Sequence, residues 1–145
     1  MSQTQTNEYP DQEAAHLTGM RLVIMMYDAA IGALKNSLAA IQANDLQTRC
    51  DALNMVMDII VQLHEALDLK HGGHVASNLD NLYRFMITRL ARANLTNDPR
   101  PVREVLQLME PLYDSWRKLD EQLTAQHIVR SGQAAKNELQ MRAAG

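Results

Sequence analysis

The chain has 145 residues, which suits one domain, because single hydrophobic cores usually occupy about 100–200 residues. Apolar residues make up 46% of it and aromatic residues only 4%, a balance that favours helices over strands. The net charge of −3 disfavours a general nucleic-acid-binding protein. Cys50 is the single cysteine, so no internal disulfide forms and a reducing compartment is expected. Without a signal peptide or an apolar run near about 20 residues, we expect a cytoplasmic protein that does not insert into a membrane.

The polar, acidic residues 1–17 predict an N-terminal arm, and Thr18 is the candidate N-cap of the first helix. After Thr18, apolar residues recur at alternating steps of four and three, which places them on one face of a helix. This first stripe consists of Met20, Ile24, Tyr27, Ile31, Leu34, Leu38 and Ile41.

Three further stripes with the same spacing follow along the chain, and they predict three more helices. The second stripe consists of Leu46, Cys50, Leu53, Met57, Ile60, His64 and Leu67. The third consists of Val75, Leu79, Leu82, Met86, Leu90 and Ala93, and the fourth of Val102, Val105, Met109, Leu112, Trp116, Leu119 and Leu123.

Short polar connections separate the stripes. Asp45 is able to cap the second helix, and Gly72-Gly73 is predicted to end it, because glycine readily adopts the left-handed conformation after a last turn. Asp98 before Pro99 is a common way to begin a helix, and here it predicts the start of the fourth. Pro111 lies inside the fourth stripe, which keeps its phase, so a kink is expected there and not a break.

Together these elements predict an all-α fold. Because the connections are short, consecutive helices should run antiparallel, as an up-down four-helix bundle over residues 18–124. Residues 125–145 contain helix formers without a sustained stripe and predict a mobile or short-helical C-terminal tail.

Two of the predicted helices carry more apolar surface than one buried face requires. Either these helices have a wide core face covered by the arm or the tail, or they form a groove for a partner helix. The nine methionines, whose side chains adapt to varied surfaces, favour the groove slightly. The surplus residues are Leu22, Met25, Met26, Ala29, Ala30 and Ala33 on the first helix and Ala52, Met55, Val56, Ile59 and Leu63 on the second.

A metal-dependent enzyme is the alternative of a different class for a helical bundle. Di-iron bundles need inward glutamates on four helices and two Glu-x-x-His pairs. This chain has one such spacing, from Glu13 to His16, ahead of the first stripe, and its stripes contain no acidic residue. His64, His71 and His74 are read as loop histidines, and no cofactor is expected.

A basic stretch runs across the third and fourth predicted helices. A solvated helix face explains it, and a docking patch for an acidic partner is the sharper interpretation. Its residues are Arg84, Arg89, Arg92, Arg100 and Arg103, with Asp98 among them.

Several segments resemble the flagellin export chaperone family, the FliS family. Residues 25–30, Met-Met-Tyr-Asp-Ala-Ala, resemble its Met-Leu-Tyr-Asp-Gly-Ala motif. Residues 72–83, from Gly-Gly to Leu-Tyr, are similar to its Gly-Gly-x-Ile-Ala-x-Asn-Leu-x-x-Leu-Tyr motif, and residues 89–98 continue the pattern through Ala-Asn to Asn-Asp. Glu104-Val105, Trp116 and an Asn-x-Tyr at residues 7–9 add to a resemblance that covers residues 7–123.

The resemblance implies a function and no enzymatic activity. Members of this family bind the disordered C-terminal segment of flagellin in the cytoplasm, prevent its premature polymerisation and help deliver it to the flagellar type III export apparatus. The export-gate cytoplasmic domain is a further partner that the resemblance suggests. An adaptor or regulator that binds another flagellar export component is the alternative function.

The resemblance also selects candidate partner-binding residues at the motif positions. Tyr9 is expected to belong to an N-terminal latch that covers a groove until the client arrives. The residues expected to shape or line that groove are Tyr27, Asp28, Asn78, Leu79, Tyr83 and Asn94. Tyr27 and Leu79 lie on stripes, so a plain core role is an open alternative for both, and Trp116 is expected in the core.

Overall fold

A computed structural model describes the backbone of residues 8–144 and the side chains of residues 12–144. Within these residues the chain forms four helices and no strand, which confirms the predicted all-α four-helix bundle. The helices are α1 (Glu8–Gln42), α2 (Leu46–Glu65), α3 (Gly73–Thr96) and α4 (Pro99–Ala144). Short connections at 43–45, 66–72 and 97–98 join them.

Residues 23–113 form one compact unit, which contains α2, α3 and parts of α1 and α4. The steps of three and four between the buried residues confirm the helical periodicity, since this spacing brings one face of each helix into the core. The fully buried larger side chains of this unit are Tyr27, Leu34, Leu53, Val56, Ile60, Tyr83, Met86, Leu90, Val102, Val105 and Met109.

The buried face of α2 differs from the predicted stripe. Leu46, the first residue of that stripe, is 57% exposed, whereas Val56 and Leu63 from the surplus set are buried. Apolar residues cover so much of α2 that two neighbouring faces satisfy the same spacing, and only packing against α3 selects between them. The observed buried residues of α2 are Arg49, Leu53, Val56, Ile60 and Leu63.

Two helices are longer than predicted. α1 begins at Glu8, so the prediction of Thr18 as its N-cap is wrong; the Thr18 hydroxyl instead donates to the carbonyl of Ala14 at 3.0 Å, inside the helix. α4 continues through Pro111 without a break and ends at Ala144, well beyond the predicted end near Leu123. Residues 124–144 contain no proline and many helix formers, which explains the continuation.

The two adjacent glycines begin α3 and do not end α2, contrary to the prediction. α2 ends at Glu65, and Asp68 then organises the connection by accepting hydrogen bonds from the amides of Lys70 and His71, both at 3.2 Å. Gly72 is the N-cap of α3, and Gly73 has a φ of +57°, in the left-handed region that favours glycine.

The predicted caps at the other two connections are confirmed. The Asp45 carboxylate accepts from the Thr48 hydroxyl at 2.6 Å and from the Thr48 amide at 3.1 Å. The hydroxyl bond, followed by the amide bond, lowers the pKa of Asp45. Asn97 closes α3 in the left-handed conformation, and Asp98 accepts from the Arg100 amide at 2.9 Å at the start of α4.

Among the described residues, a second compact unit contains residues 8–22 and 114–144. Its two helical segments run antiparallel, because low residue numbers in α1 meet high ones in α4. Glu13 contacts Arg130 at 3.0 Å and His127 at 3.3 Å, and Arg21 lies 3.7 Å from Asp120. Between the segments lies a cleft of about 590 Å³ lined by Leu17, Leu123 and neighbouring polar residues.

The segment Gln12–Gln42 of α1 is long and apolar enough, by length and composition, to cross a membrane, although no continuous apolar run of that length was expected. Core helices of other proteins meet the same criterion. Here the segment supplies Tyr27, Ala30 and Leu34 to the core of the 23–113 unit, all at 0% exposure. Part of its apolar surface is therefore used inside the protein.

Candidate functional site

The structure brings Tyr27 and Tyr83 together in the core of the 23–113 unit. Tyr27 projects from the buried face of α1 and Tyr83 from that of α3, and their hydroxyl oxygens lie 2.5 Å apart. A buried hydroxyl pair satisfies two polar groups that would otherwise be costly to bury. The pair joins two helices by a polar bond within an apolar core.

The phenol of Tyr83 stays neutral in this environment. Burial raises its pKa, and the adjacent Tyr27 adds to the rise. The pair therefore has the properties of a structural link between α1 and α3.

Leu79 lies one helical turn before Tyr83 on the same buried face of α3, and it is 8% exposed. Asn78 precedes it and points to the exposed side of the helix. Of the two, only Asn78 is accessible to a partner on the surface.

Asp28 follows Tyr27 on α1 and is exposed. The hydroxyl of Tyr113 in α4 donates to its carboxylate at 3.5 Å, a long and weak hydrogen bond. Asp28 therefore keeps most of its capacity to accept hydrogen bonds from a partner.

Asn94 lies at the opposite end of α3 from Asn78, so the two asparagines do not form one cluster. It is half-buried, and its backbone carbonyl accepts from Arg49 Nη2 at 3.0 Å. Arg49 Nη1 also donates to Asn97 Oδ1 at 2.7 Å, which ties the start of α2 to the C-cap of α3. Sequence reasoning missed Arg49, since an arginine at that position has no distinguishing motif.

The prediction of His64 as a loop histidine is wrong, because it lies inside α2 and is half-buried, and its polar contact with α3 was missed. His64 Nε2 donates to the carboxylate of Asp80, which also pairs with Arg84 at 3.2 Å. The hydrogen bond from His64 lowers the pKa of Asp80, and Arg84 adds to the lowering. The sequence signal for this contact was weak: a polar His64 on an otherwise apolar stripe, with an aspartate on the next helix.

Exposed apolar side chains remain on the 23–113 unit after the core is filled. Met25 from the surplus set of α1 is 66% exposed and Met55 from that of α2 is 49% exposed, whereas Ala30 and Val56 from the same sets are at 0%. The predicted surplus is thus partly core and partly surface. The exposed large apolar residues of this unit are Met25, Leu46, Met55, Val61, Leu69, Val75, Phe85 and Leu95.

Most of the basic stretch is paired with carboxylates. Arg84 contacts Asp80, Arg89 contacts Glu104 at 2.9 Å, and Arg100 holds Asp98 through two nitrogens. The hydrogen bonds from Arg100 lower the pKa of Asp98. Arg92 and Arg103 are exposed.

Two predicted residues and the predicted absence of a metal site remain to be placed. The side chain of Tyr9 lies outside the described residues. Trp116 is half-buried in α4, in the unit that contains residues 8–22 and 114–144. Among the residues that the structure describes, no group of three or more histidine, cysteine, aspartate or glutamate side chains could hold a metal ion.

These features define an all-α four-helix protein whose polar contacts join helices and whose surface keeps apolar side chains exposed. The chain matches the family model described as "Flagellar protein FliS" over residues 1–123. It therefore belongs to the FliS family, which is a family of chaperones and not of enzymes.

Three curated relatives illustrate the similarity. The flagellar secretion chaperone FliS of Vibrio cholerae is 29% identical, over 75% of this chain and 80% of the relative. The FliS of Salmonella typhimurium is 34% identical, over 68% and 74%. The FliS of Bacillus subtilis is 23% identical, over 76% and 81%. The recognised resemblance is thereby confirmed.

Proposed function

We propose that this protein is a cytoplasmic export chaperone that binds the disordered C-terminal segment of flagellin. In this role it prevents premature polymerisation and assists delivery to the flagellar type III export apparatus. The observation that carries the proposal is the match to the family over residues 1–123, together with relatives named as flagellar secretion chaperones.

The exposed apolar side chains support an extended client. They occur on α1, α2 and α3. On α2, Met55 and Val61 are six residues apart, which at about 100° per residue places them on different sides of the helix. A disordered segment can contact one helix after another and bury such separated side chains, at the cost of its own conformational entropy. This cost keeps the complex releasable, which delivery of an unfolded client requires.

The motif residues take different parts in this proposal. Tyr27, Leu79 and Tyr83 are buried, so they would shape the framework that the client contacts. Asp28 and Asn78 are exposed, and we propose that they offer hydrogen bonds to the client backbone. Asn94 would act through the Arg49 contact, and Tyr9 stays a proposed latch residue.

A titration with a peptide of the flagellin C-terminus, followed by circular dichroism, tests the proposal. We expect saturable binding with a gain of helix, because the client becomes ordered on the chaperone. Met25→Gln and Met55→Gln should weaken binding, whereas Lys35→Gln at an exposed polar position of α1 should not. Absence of binding at any workable concentration would refute the flagellin assignment and leave the adaptor alternative.

A further inference from the structure

Three arginines converge where α3 ends and α4 begins. Arg89 and Arg92 come from the last turns of α3 and Arg100 from the first turn of α4, all within the 23–113 unit. They line a largely polar cleft of about 250 Å³, together with Asp98, Pro101 and Glu104. We call this the arginine cleft.

Two internal carboxylates show which ligand chemistry the arginine cleft accepts. Arg100 holds Asp98 side-on, with Nε to Oδ1 at 3.1 Å and Nη2 to Oδ2 at 2.9 Å. Arg89 Nε lies 2.9 Å from Glu104 Oε2. Guanidinium groups favour the planar, two-point recognition of a carboxylate that Arg100 shows with Asp98.

The positive charge exceeds what these two carboxylates neutralise. Arg92 is the third guanidinium of the cleft, is exposed, and contributes to the lowered pKa of Asp98. Arg103, one turn further along α4 than Pro99, is also exposed. Although the chain has a net charge of −3, this local positive excess attracts acidic groups of a partner.

An apolar contact adjoins the charges. The Arg89 guanidinium stacks over Phe85 with its central carbon 5.3 Å from the ring centroid, and Phe85 is 44% exposed. A stacked guanidinium keeps N–H groups at its edge for a ligand, while the ring offers surface to an apolar side chain. Charge and an aromatic surface together suit a polypeptide.

We propose that the arginine cleft docks an acidic polypeptide segment, with a carboxylate on Arg92 and an apolar side chain against Phe85. Closely spaced phosphates of a nucleic acid would meet Asp98 and Glu104 in the same cleft and be repelled, whereas side-chain carboxylates on a peptide can be spaced to avoid them. The proposal goes beyond flagellin binding, because it gives the protein a surface for a second, acidic partner.

Fluorescence anisotropy with a labelled synthetic peptide of aspartate, glutamate and leucine tests the proposal. We expect saturable binding that weakens with added salt, and no binding of the matched peptide with asparagine and glutamine in place of the acids. Arg92→Gln should weaken binding roughly threefold to tenfold, and Arg92→Lys less, since the charge stays.

Arg84→Gln is the matched control, because Arg84 is an exposed arginine of the same helix that pairs with Asp80. If Arg84→Gln weakens binding as much as Arg92→Gln, or if the neutral peptide binds equally, the proposal is overturned. Displacement of the peptide by inorganic phosphate at equal concentration would also overturn it, by indicating a general anion site. All variants should bind the flagellin peptide like the wild type, so failure here leaves the chaperone function intact.

Discussion

Gly72 and Gly73 stand side by side at the start of α3, and alanine should be harmful at each for a different reason. Gly72 has an ordinary φ of −81°, but a Cβ there would lie 2.4 Å from the Cβ of Ala76 and 2.7 Å from the carbonyl oxygen of Asp68. Gly73 has open space around its Cα and a φ of +57°. The first position lacks room and the second requires the left-handed conformation.

The geometry sets the expected magnitudes. Neither Cβ contact at Gly72 can be relieved by rotating a side chain, so the first turn of α3 must move, and Gly72→Ala should cost about 2–3 kcal/mol, in the range of overpacked sites. Gly73→Ala incurs about 1–2 kcal/mol of left-handed strain, offset by a smaller unfolded-state entropy gain, for a net cost near 1 kcal/mol. Gly73→Asn should cost less, because asparagine tolerates this conformation.

Urea unfolding followed by circular dichroism measures these differences. Gly32→Ala is the control, because Gly32 lies inside α1 with nothing within 4 Å of an added Cβ, and it should stabilise by about 0.5–1 kcal/mol. The reasoning is refuted if Gly72→Ala costs no more than Gly73→Ala. It is equally refuted if Gly73→Asn costs as much as Gly73→Ala.

Two further predictions concern the polar contacts between α2 and α3. Arg49→Leu removes the hydrogen bonds to Asn97 and Asn94 and should lower the free energy of unfolding by about 2–4 kcal/mol. A double-mutant cycle with Asn97→Gly, a substitution that keeps the left-handed cap, should show a coupling energy of about 1 kcal/mol. Additive effects of the two substitutions in urea unfolding would contradict this. Because the pKa of Asp80 is lowered in the folded state, its ionised carboxylate stabilises the fold above about pH 4, and this stabilisation is lost as the pH falls through the pKa of the folded state. Asp80→Asn should therefore lower the urea midpoint at about pH 7 and differ less from the wild type at about pH 3. An equal difference at both pH values would exclude this linkage.

The local part of the fold could be predicted from the sequence. Apolar spacing and cap residues are short-range signals, so the helical class and the caps at Asp45 and Asp98 could be identified. The ends of α1 and α4 could not, because both helices continue through sequence that contains helix formers but no apolar stripe. Contacts outside the 23–113 unit, such as Glu13 with Arg130, stabilise such segments without a periodic pattern.

The candidate site was less predictable, because its residues depend on pairing across helices. Motif resemblance selected Tyr27 and Tyr83 separately, and only the fold shows that their hydroxyls bond to each other. Arg49 was missed for the same reason, since its partners lie more than forty residues away in sequence. The spacing of residues along one helix does not show which residue of another helix will form a hydrogen bond with a given polar side chain.

The sequence left two explanations for the surplus apolar residues of α1 and α2, a wide core face or a groove for a partner. In the structure some of these residues are buried in the core and others are exposed. Ala30 and Ala33 are buried, so small residues of α1 widen the core, whereas Met25 on the same helix is mostly exposed. The surface left for a partner is therefore smaller than the sequence suggested and is spread over several helices. A compact partner could reach few of these side chains at once, but an extended one could bury them in turn, each contributing about 1–3 kcal/mol at most before the entropy of ordering is subtracted. This distribution favours binding through many modest contacts, so single substitutions such as Met25→Gln should weaken client binding without abolishing it.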